Sequence, residues 1–265
     1  MLIQALIASS ALLLGSDPKP VPESTPEPAS APEVLHELLP GLHIAKGIVE
    51  FSGTIAIDCH HPDTPDVYLE MFVTAPDSRE HESLVVSSIK PSNLHAALLA
   101  AGFEPGSPLK RSREGTITPA SGDALRILVS TSNPDGEQSE YIPIESWVLS
   151  DDADEPKQLA ESTAWTGLVF AGSILNKHGY AADRGGTLIS LTSFGDEVIA
   201  PIWTISHQAD IDTPTWIANR ERVPEIDTPV RIRIEAAEEP ESVKSEAETD
   251  QESHQPDRID INRDP

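Results

Sequence analysis

Hydrophobic residues in the middle of the chain occur in short runs rich in valine, isoleucine, threonine and aromatic residues, a pattern typical of β-strands. Turn-forming sequences such as Pro134-Asp135-Gly136 separate several of these runs. The predicted strands are residues 48–57, 67–74, 82–88, 124–131, 141–149, 165–171, 187–191, 198–202 and 230–234. Helices do not alternate regularly with these strands, so we expect a mostly antiparallel sheet rather than a doubly wound parallel one.

One segment, residues 91–101, has the pattern of an α-helix. Pro91 suits a first helical turn, the alanines and leucines favour a helix, and Gly102 can end it with a positive φ. The leucines of this segment fall on one side of a helical projection, and His95 lies within the same arc. We therefore expect His95 to face the interior.

A second, weaker helical pattern lies within residues 155–162. With one clear helix among many strands, the predicted fold class is α+β: a mostly antiparallel β-sheet with one helix at about 91–101, flanked by disordered termini. One globular domain is predicted over residues 40–235, which is long enough to bury a core without disulfides.

Residues 1–16 are predicted to be a signal peptide. The uncharged apolar run 2–14 has the length of a signal-peptide core, is followed by Gly15 and Ser16, and is too short to span a membrane. No lysine or arginine precedes the run, and a buried N-terminal helix is the alternative. A signal peptide predicts an extracytoplasmic protein, either periplasmic or secreted.

The two ends of the chain differ from its middle in composition. Residues 17–39 are rich in proline and acidic residues and predict an extended, disordered linker. Residues 236–265 are acidic and almost without apolar side chains, so they cannot bury enough surface to offset their chain entropy. We expect this tail to be disordered as well.

The formal net charge is −26, from 18 basic and 44 acidic residues. Nucleic acids and anionic membranes attract basic surfaces, so this balance argues against both as partners. A basic partner or divalent cations would be compatible with the charge, although solubility alone explains it. The expected partner is therefore an unknown protein or small molecule.

Glu70, His81, Glu82 and His95 form the main candidate site. His81 and Glu82 stand where a loop enters an apolar strand, and His95 lies on the predicted helix that follows. These residues could supply metal ligands or an acid/base couple. In a regular strand, however, His81 and Glu82 point to opposite faces, so the favoured interpretation is a structural hydrogen bond made by a buried His95.

Glu70 lies in a predicted strand that is otherwise apolar. A buried carboxylate needs a partner, for which His81, His95 and Arg79 are the candidates. Exposure of Glu70 at a sheet edge is the alternative.

Cys59 and His61 are less favoured metal ligands. Together with Asp58, His60 and Asp63 they offer suitable atoms, but adjacent side chains diverge, and a polar loop explains them better. The chain also has no HExxH, GxSxG, GxxxxGK[ST] or strand-associated GxGxxG motif.

Several short motifs together resemble the YdjY-type domain of bacterial secreted proteins over about residues 40–235. They are Leu69-Glu70-Met71-Phe72, His81-Glu82-Ser83, Leu94-His95-Ala96-Ala97-Leu98-Leu99, Glu104-Pro105-Gly106-Ser107-Pro108, Phe170-Ala171-Gly172-Ser173 and Tyr180-Ala181-Ala182-Asp183. The resemblance implies an extracytoplasmic location and singles out Glu70, His81, Glu82 and His95 together, without implying a defined activity.

In many members of that family a cysteine follows the Leu-Glu-Met-Phe motif, where this chain has Val73-Thr74. Since Cys59 is the only cysteine, an iron–sulfur cluster with four cysteine ligands is excluded here, and the cofactor is unknown. We expect a non-enzymatic envelope domain that binds a partner or small ligand. The alternative is a metal-dependent or acid/base enzyme that uses the His/Glu cluster.

Overall fold

The computed structural model describes residues 34–132, 138–150, 157–159, 167–208, 211–213 and 215–237. The predicted signal peptide, most of the predicted linker and tail, and Trp165 lie outside these residues. Within them, no helix is long and apolar enough to cross a membrane.

The described residues form many short strands, two α-helices and two 3-10 turns. The strands are β1 His36–Leu39, β2 Leu42–Ala45, β3 Ile48–Ile55, β4 Met71–Thr74, β5 Ser83–Val86, β6 Pro105–Ser107, β7 Lys110–Arg111, β8 Ile117–Thr118, β9 Ser121–Gly122, β10 Ala124–Thr131, β11 Ile142–Pro143, β12 Val148–Ser150, β13 Lys157–Gln158, β14 Leu168–Phe170, β15 Leu175–Asn176, β16 Gly179–Tyr180, β17 Thr187–Ser190, β18 Ile199–Pro201, β19 Trp216–Ala218 and β20 Pro229–Ala236. The helices are α1 Pro91–Ala101 and α2 Ala181–Gly185, and the 3-10 turns are Glu80–Glu82 and Ile144–Trp147.

Eight of the strands close into a barrel in the order β3, β20, β10, β14, β18, β17, β4 and β5, with β5 pairing back to β3. The predicted α+β fold, a mostly antiparallel sheet with one helix, is therefore wrong. The part of the chain that the structure describes is mostly β, with 42% of its residues in strands and a closed barrel. Closure depends on pairings between segments that are distant in sequence, such as β3 with β20 and β4 with β17. Two further pairs, β17 with β18 and β4 with β5, are parallel. Local hydrophobic patterns encode neither feature.

Alternation along the barrel strands fills its interior with apolar side chains. Phe51 on β3 and Ile232 on β20 lie opposite each other and are fully buried. Each such side chain contributes roughly 1.5–3 kcal/mol relative to an exposed one. The next residues along these strands, Glu50 and Arg233, lie on the opposite face of the sheet, where the carboxylate of the buried Glu50 forms an ion pair with Arg233.

Gly53 lies where the barrel closes. The first half of β3 pairs with β2, whereas its end pairs with β5, through Thr54 with Val86 and Ile55 with Val85. A Cβ atom on Gly53 would lie 2.5 Å from Cγ1 of Val85 and 2.7 Å from the carbonyl oxygen of Val86. A residue without a side chain is needed for β5 to approach this closely.

Helix α1 occupies the predicted residues. Pro91 is in its first turn, and Gly102 follows in the left-handed region with φ of 101°. Leu94 and Leu98 are buried as expected, but Leu99 is 48% exposed because it falls at the edge of the buried arc.

Two predicted elements have a different structure. Residues 141–149 were expected to form one strand, but β11 ends at Pro143, the 3-10 turn follows, and β12 joins a separate sheet with β13 and β19. Within the weak helical pattern at 155–162, the described Lys157–Gln158 form strand β13. Strand β1 also lies in the segment that composition assigns to the linker.

Candidate functional site

A small cavity of about 140 Å³ lies between the start of β4, the 3-10 turn Glu80–Glu82 and the residues around His207. Its polar wall is formed by Tyr68, Glu70, Glu82, Thr192, His207 and Asp212. Three acidic side chains and one imidazole thus surround a space large enough for part of a small ligand.

The backbone of Glu70 is held from two sides. Its N–H donates to the carbonyl oxygen of Glu82 at 2.8 Å, and its own carbonyl oxygen accepts from the N–H groups of Leu191 and Thr192 at 2.8 and 3.0 Å. The 3-10 turn and the end of β17 therefore fix the position from which the Glu70 side chain projects.

The carboxyl groups of Glu70 and Glu82 lie beside each other in the cavity wall. Burial, followed by the negative charge and the hydrogen bond of Glu82, raises the pKa of Glu70 to about 7. Arg79 opposes this shift, with Nη1 3.2 Å from Oε2 of Glu70 and 4.0 Å from Oε2 of Glu82. With a pKa of about 7, Glu70 exchanges near neutral pH between a protonated form that can donate a hydrogen bond and an anion.

Arg79 also belongs to a stack of planar groups. Its guanidinium lies 4.5 Å from the ring centroid of Phe194, and that ring stacks on His207 with centroids 4.4 Å apart and an interplanar angle of 19°. Nδ1 of His207 lies 3.1 Å from the carbonyl oxygen of Ser193, to which it can only donate. In the neutral ring, Nε2 is then the acceptor.

Asp212 contributes the third carboxylate of the wall. Its Oδ2 accepts a hydrogen bond from the N–H of Ser206 at 2.7 Å, which fixes the loop that carries His207. Sequence reasoning missed both His207 and Asp212, because they lie far from Glu70 along the chain. The available signal was a polar loop with a histidine and an aspartate that follows the apolar run around Trp203.

His81 lies beside this cavity but at the surface. Its side chain is 78% exposed, and Nε2 lies 3.6 Å from Oε1 of Glu82. The 3-10 turn replaces the regular strand geometry that would have separated the two side chains.

His95 lies in a different polar network. Its Nδ1 is 2.9 Å from the hydroxyl oxygen of Tyr180, which in turn donates to the carbonyl oxygen of Gly172 at 3.1 Å. The ring of Phe170 packs against the imidazole at 5.0 Å between centroids. Burial lowers the pKa of His95. In the described part of the chain, no hydrogen bond or ion pair joins His95 to Glu70, His81 or Glu82.

Cys59 is fully buried, and burial raises the pKa of its thiol. The adjacent His60 has Nε2 2.8 Å from the carbonyl oxygen of Val223, and Nδ1 of His61 accepts from the N–H of Asp63 at 3.2 Å. Among the residues described above, no group of three or more His, Cys, Asp or Glu side chains is placed to hold a metal ion. The contacts made by these residues are those of a structured loop.

Glu197 is a buried carboxyl group outside the cavity. It is fully buried, one oxygen accepts from the N–H of Asp196 at 2.7 Å, and the other oxygen has no hydrogen-bond partner among the described residues. Burial is the main cause that raises its pKa to about 7.

Comparison with known proteins gives one match. The family model described as the YdjY domain matches residues 43–235, which include all the cavity residues named above. No curated protein and no solved structure matches the chain.

Proposed function

We propose, on the premise that this chain belongs to the YdjY domain family, that its barrel is a non-enzymatic binding domain of the cell envelope whose cavity takes a small ligand with a cationic group. The observation that carries this proposal is the close pair of carboxyl groups, Glu70 and Glu82, in the cavity wall.

The carboxyl pair favours a cation for a simple chemical reason. A proton bound between Glu70 and Glu82 reduces their repulsion, and an ammonium group could take its place by donating to both carboxylates. Asp212 adds a third negative charge, and Tyr68 adds an aromatic ring to the same wall. Arg79 supports Glu70 through an ion pair while its guanidinium is held over Phe194.

Binding of pentylammonium, with pentanol as its neutral isostere, tests the cavity. We expect pentylammonium alone to shift NMR signals of residues around the cavity, and Glu70→Gln to abolish those shifts by removing the charge while retaining hydrogen bonds. Glu114→Gln, at an exposed turn outside the cavity, is the matched control and should bind as the parent does. Equal shifts with pentanol, or unchanged binding by Glu70→Gln, would overturn the proposal.

An acid/base enzyme is the second candidate, because the pKa of Glu70 at about 7 beside a carboxylate suits proton transfer near neutral pH. Mass spectrometry of candidate amines after incubation separates the two functions. If the protein only binds ligands, every compound remains unchanged. If it is an enzyme, a product forms, and Glu82→Gln should abolish its formation.

The cellular location proposed here rests on the apolar run 2–14 and its small flanking residues. Fractionation of cells that express the full chain, with N-terminal sequencing, is the direct test. We expect a mature protein outside the cytoplasm that begins close to residue 17. If the protein is found uncleaved in the cytoplasm, the proposed envelope location is wrong, but the proposed binding of a ligand in the cavity is unaffected.

A further inference from the structure

A second cavity of about 170 Å³ adjoins the first. Ser206 and His207 line both cavities, so one imidazole and one serine form the boundary between them. The stacking of His207 on Phe194 and its hydrogen bond to Ser193 hold this boundary in place.

The second cavity has a basic side chain in its wall. Among the described residues that line it, Arg111 is the charged one, alongside Gln208 and the shared Ser206 and His207. One Nη atom of Arg111 donates to the carbonyl oxygen of Thr204 at 2.8 Å, which orients the guanidinium. A guanidinium has five N–H donors, so this contact leaves further donors for a carboxylate.

We propose that the two cavities form one site for a zwitterion, whose ammonium group lies beside Glu70 and Glu82 and whose anionic group lies beside Arg111. This inference rests on the proposed function and adds the class of ligand. Because the width of His207 and Ser206 separates the cavities, the two charged groups must be several bonds apart, as in an ω-amino acid or a short peptide. An α-amino acid, whose ammonium and carboxylate groups are attached to the same carbon atom, is too short.

Three probes of equal chain length test the inference by calorimetry: 5-aminopentanoate, pentylammonium and pentanoate. We expect 5-aminopentanoate to bind about tenfold more tightly than pentylammonium, because its carboxylate gains one charge-assisted contact with the partly exposed guanidinium of Arg111. Pentanoate should bind the weakest, since the first cavity repels it.

Two variants distinguish this inference from the proposal on which it rests. Arg111→Gln should remove the advantage of 5-aminopentanoate and leave pentylammonium binding unchanged, whereas Glu70→Gln should weaken both. Arg113→Gln, at an exposed position two residues away, is the matched control for lost positive charge. Equal affinities for 5-aminopentanoate and pentylammonium, or an unaffected Arg111→Gln variant, would overturn the zwitterion site alone. Absence of pentylammonium binding would overturn the proposed function.

Discussion

Asp183 caps helix α1 through Ser92, which precedes it by 91 residues in the sequence. Its two carboxylate oxygens accept hydrogen bonds from the N–H and the hydroxyl of Ser92, both at 2.7 Å. The residue that precedes the helix, Lys90, provides no side-chain cap. A negative charge at a helix N-terminus also interacts favourably with the helix dipole. The contact therefore ties α1 to α2.

Asp183→Ala should lower the free energy of unfolding by about 0.5–2 kcal/mol, the usual cost of losing a helix cap. Urea denaturation measures this loss. Asp183→Asn keeps one acceptor oxygen and should lose less, which separates the hydrogen bond from the charge. An Asp183→Ala variant as stable as the parent would show that the cap contributes nothing.

Gly53→Ala should destabilise the barrel by about 1–3 kcal/mol, because the added methyl group would overlap Val85 and the backbone of Val86. Gly47→Ala is the informative comparison. Gly47 has open space around it but a φ of 73°, so its substitution carries only the backbone cost of about 1 kcal/mol. Thermal unfolding of both variants checks the order, and a smaller loss for Gly53→Ala would contradict the role of Gly53 in closure.

The stability of the folded chain should depend on pH through Glu197. Its pKa is about 7 in the folded state, raised from the ordinary 4.5, so the folded protein binds a proton that the unfolded chain releases between these values. The free energy of unfolding should therefore fall as pH rises from about 4.5 to about 7, by up to about 3 kcal/mol, and level off above.

Glu197→Gln isolates this contribution, since the other titrating groups are common to both proteins. As pH rises from 5 to 8, we expect the unfolding free energy of the parent to fall relative to that of the variant. Denaturation at several pH values measures it. A difference that does not change with pH would show that Glu197 is ionised in the folded protein.

His95→Ala should reduce stability without affecting the cavity. Loss of the contact with Tyr180 and of packing against Phe170 should cost about 1–3 kcal/mol, and Tyr180→Phe about 1 kcal/mol. Pentylammonium should still bind to folded His95→Ala. Loss of binding by a variant that remains folded would place His95 in the functional site with Glu70 and Glu82.

Local signals were sufficient for some elements and insufficient for the architecture. Pro91 and Gly102 mark the ends of α1, and apolar residues of high β propensity define β10 at the predicted residues 124–131. Barrel closure instead depends on Gly53 and on the pairing of β3 with both β5 and β20, which join segments that are distant in sequence. A local sequence pattern does not indicate such pairings.

Local sequence signals likewise indicated only some of the contacts in the candidate site. Arg79 was one of three partners considered for Glu70, and the structure pairs the two residues. His207 and Asp212 complete the cavity through contacts between distant segments, which their own sequence context does not reveal. His95 was grouped with Glu70 and Glu82 because its predicted helix adjoins their segment and because the family resemblance singles these residues out together, but helix α1 directs it toward Tyr180.

The position of β20 has a consequence for the order of folding. This strand, the last among the described residues, lies between β3 and β10, so the barrel wall has a gap until residues 229–236 have been synthesised. Long-range strand pairing of this kind makes folding slow, because the entropy of loop closure must be overcome before the contacts form. The barrel therefore cannot close on the nascent polypeptide until residues 229–236 have been synthesised, a delay that suits a chain proposed to cross a membrane in an extended state.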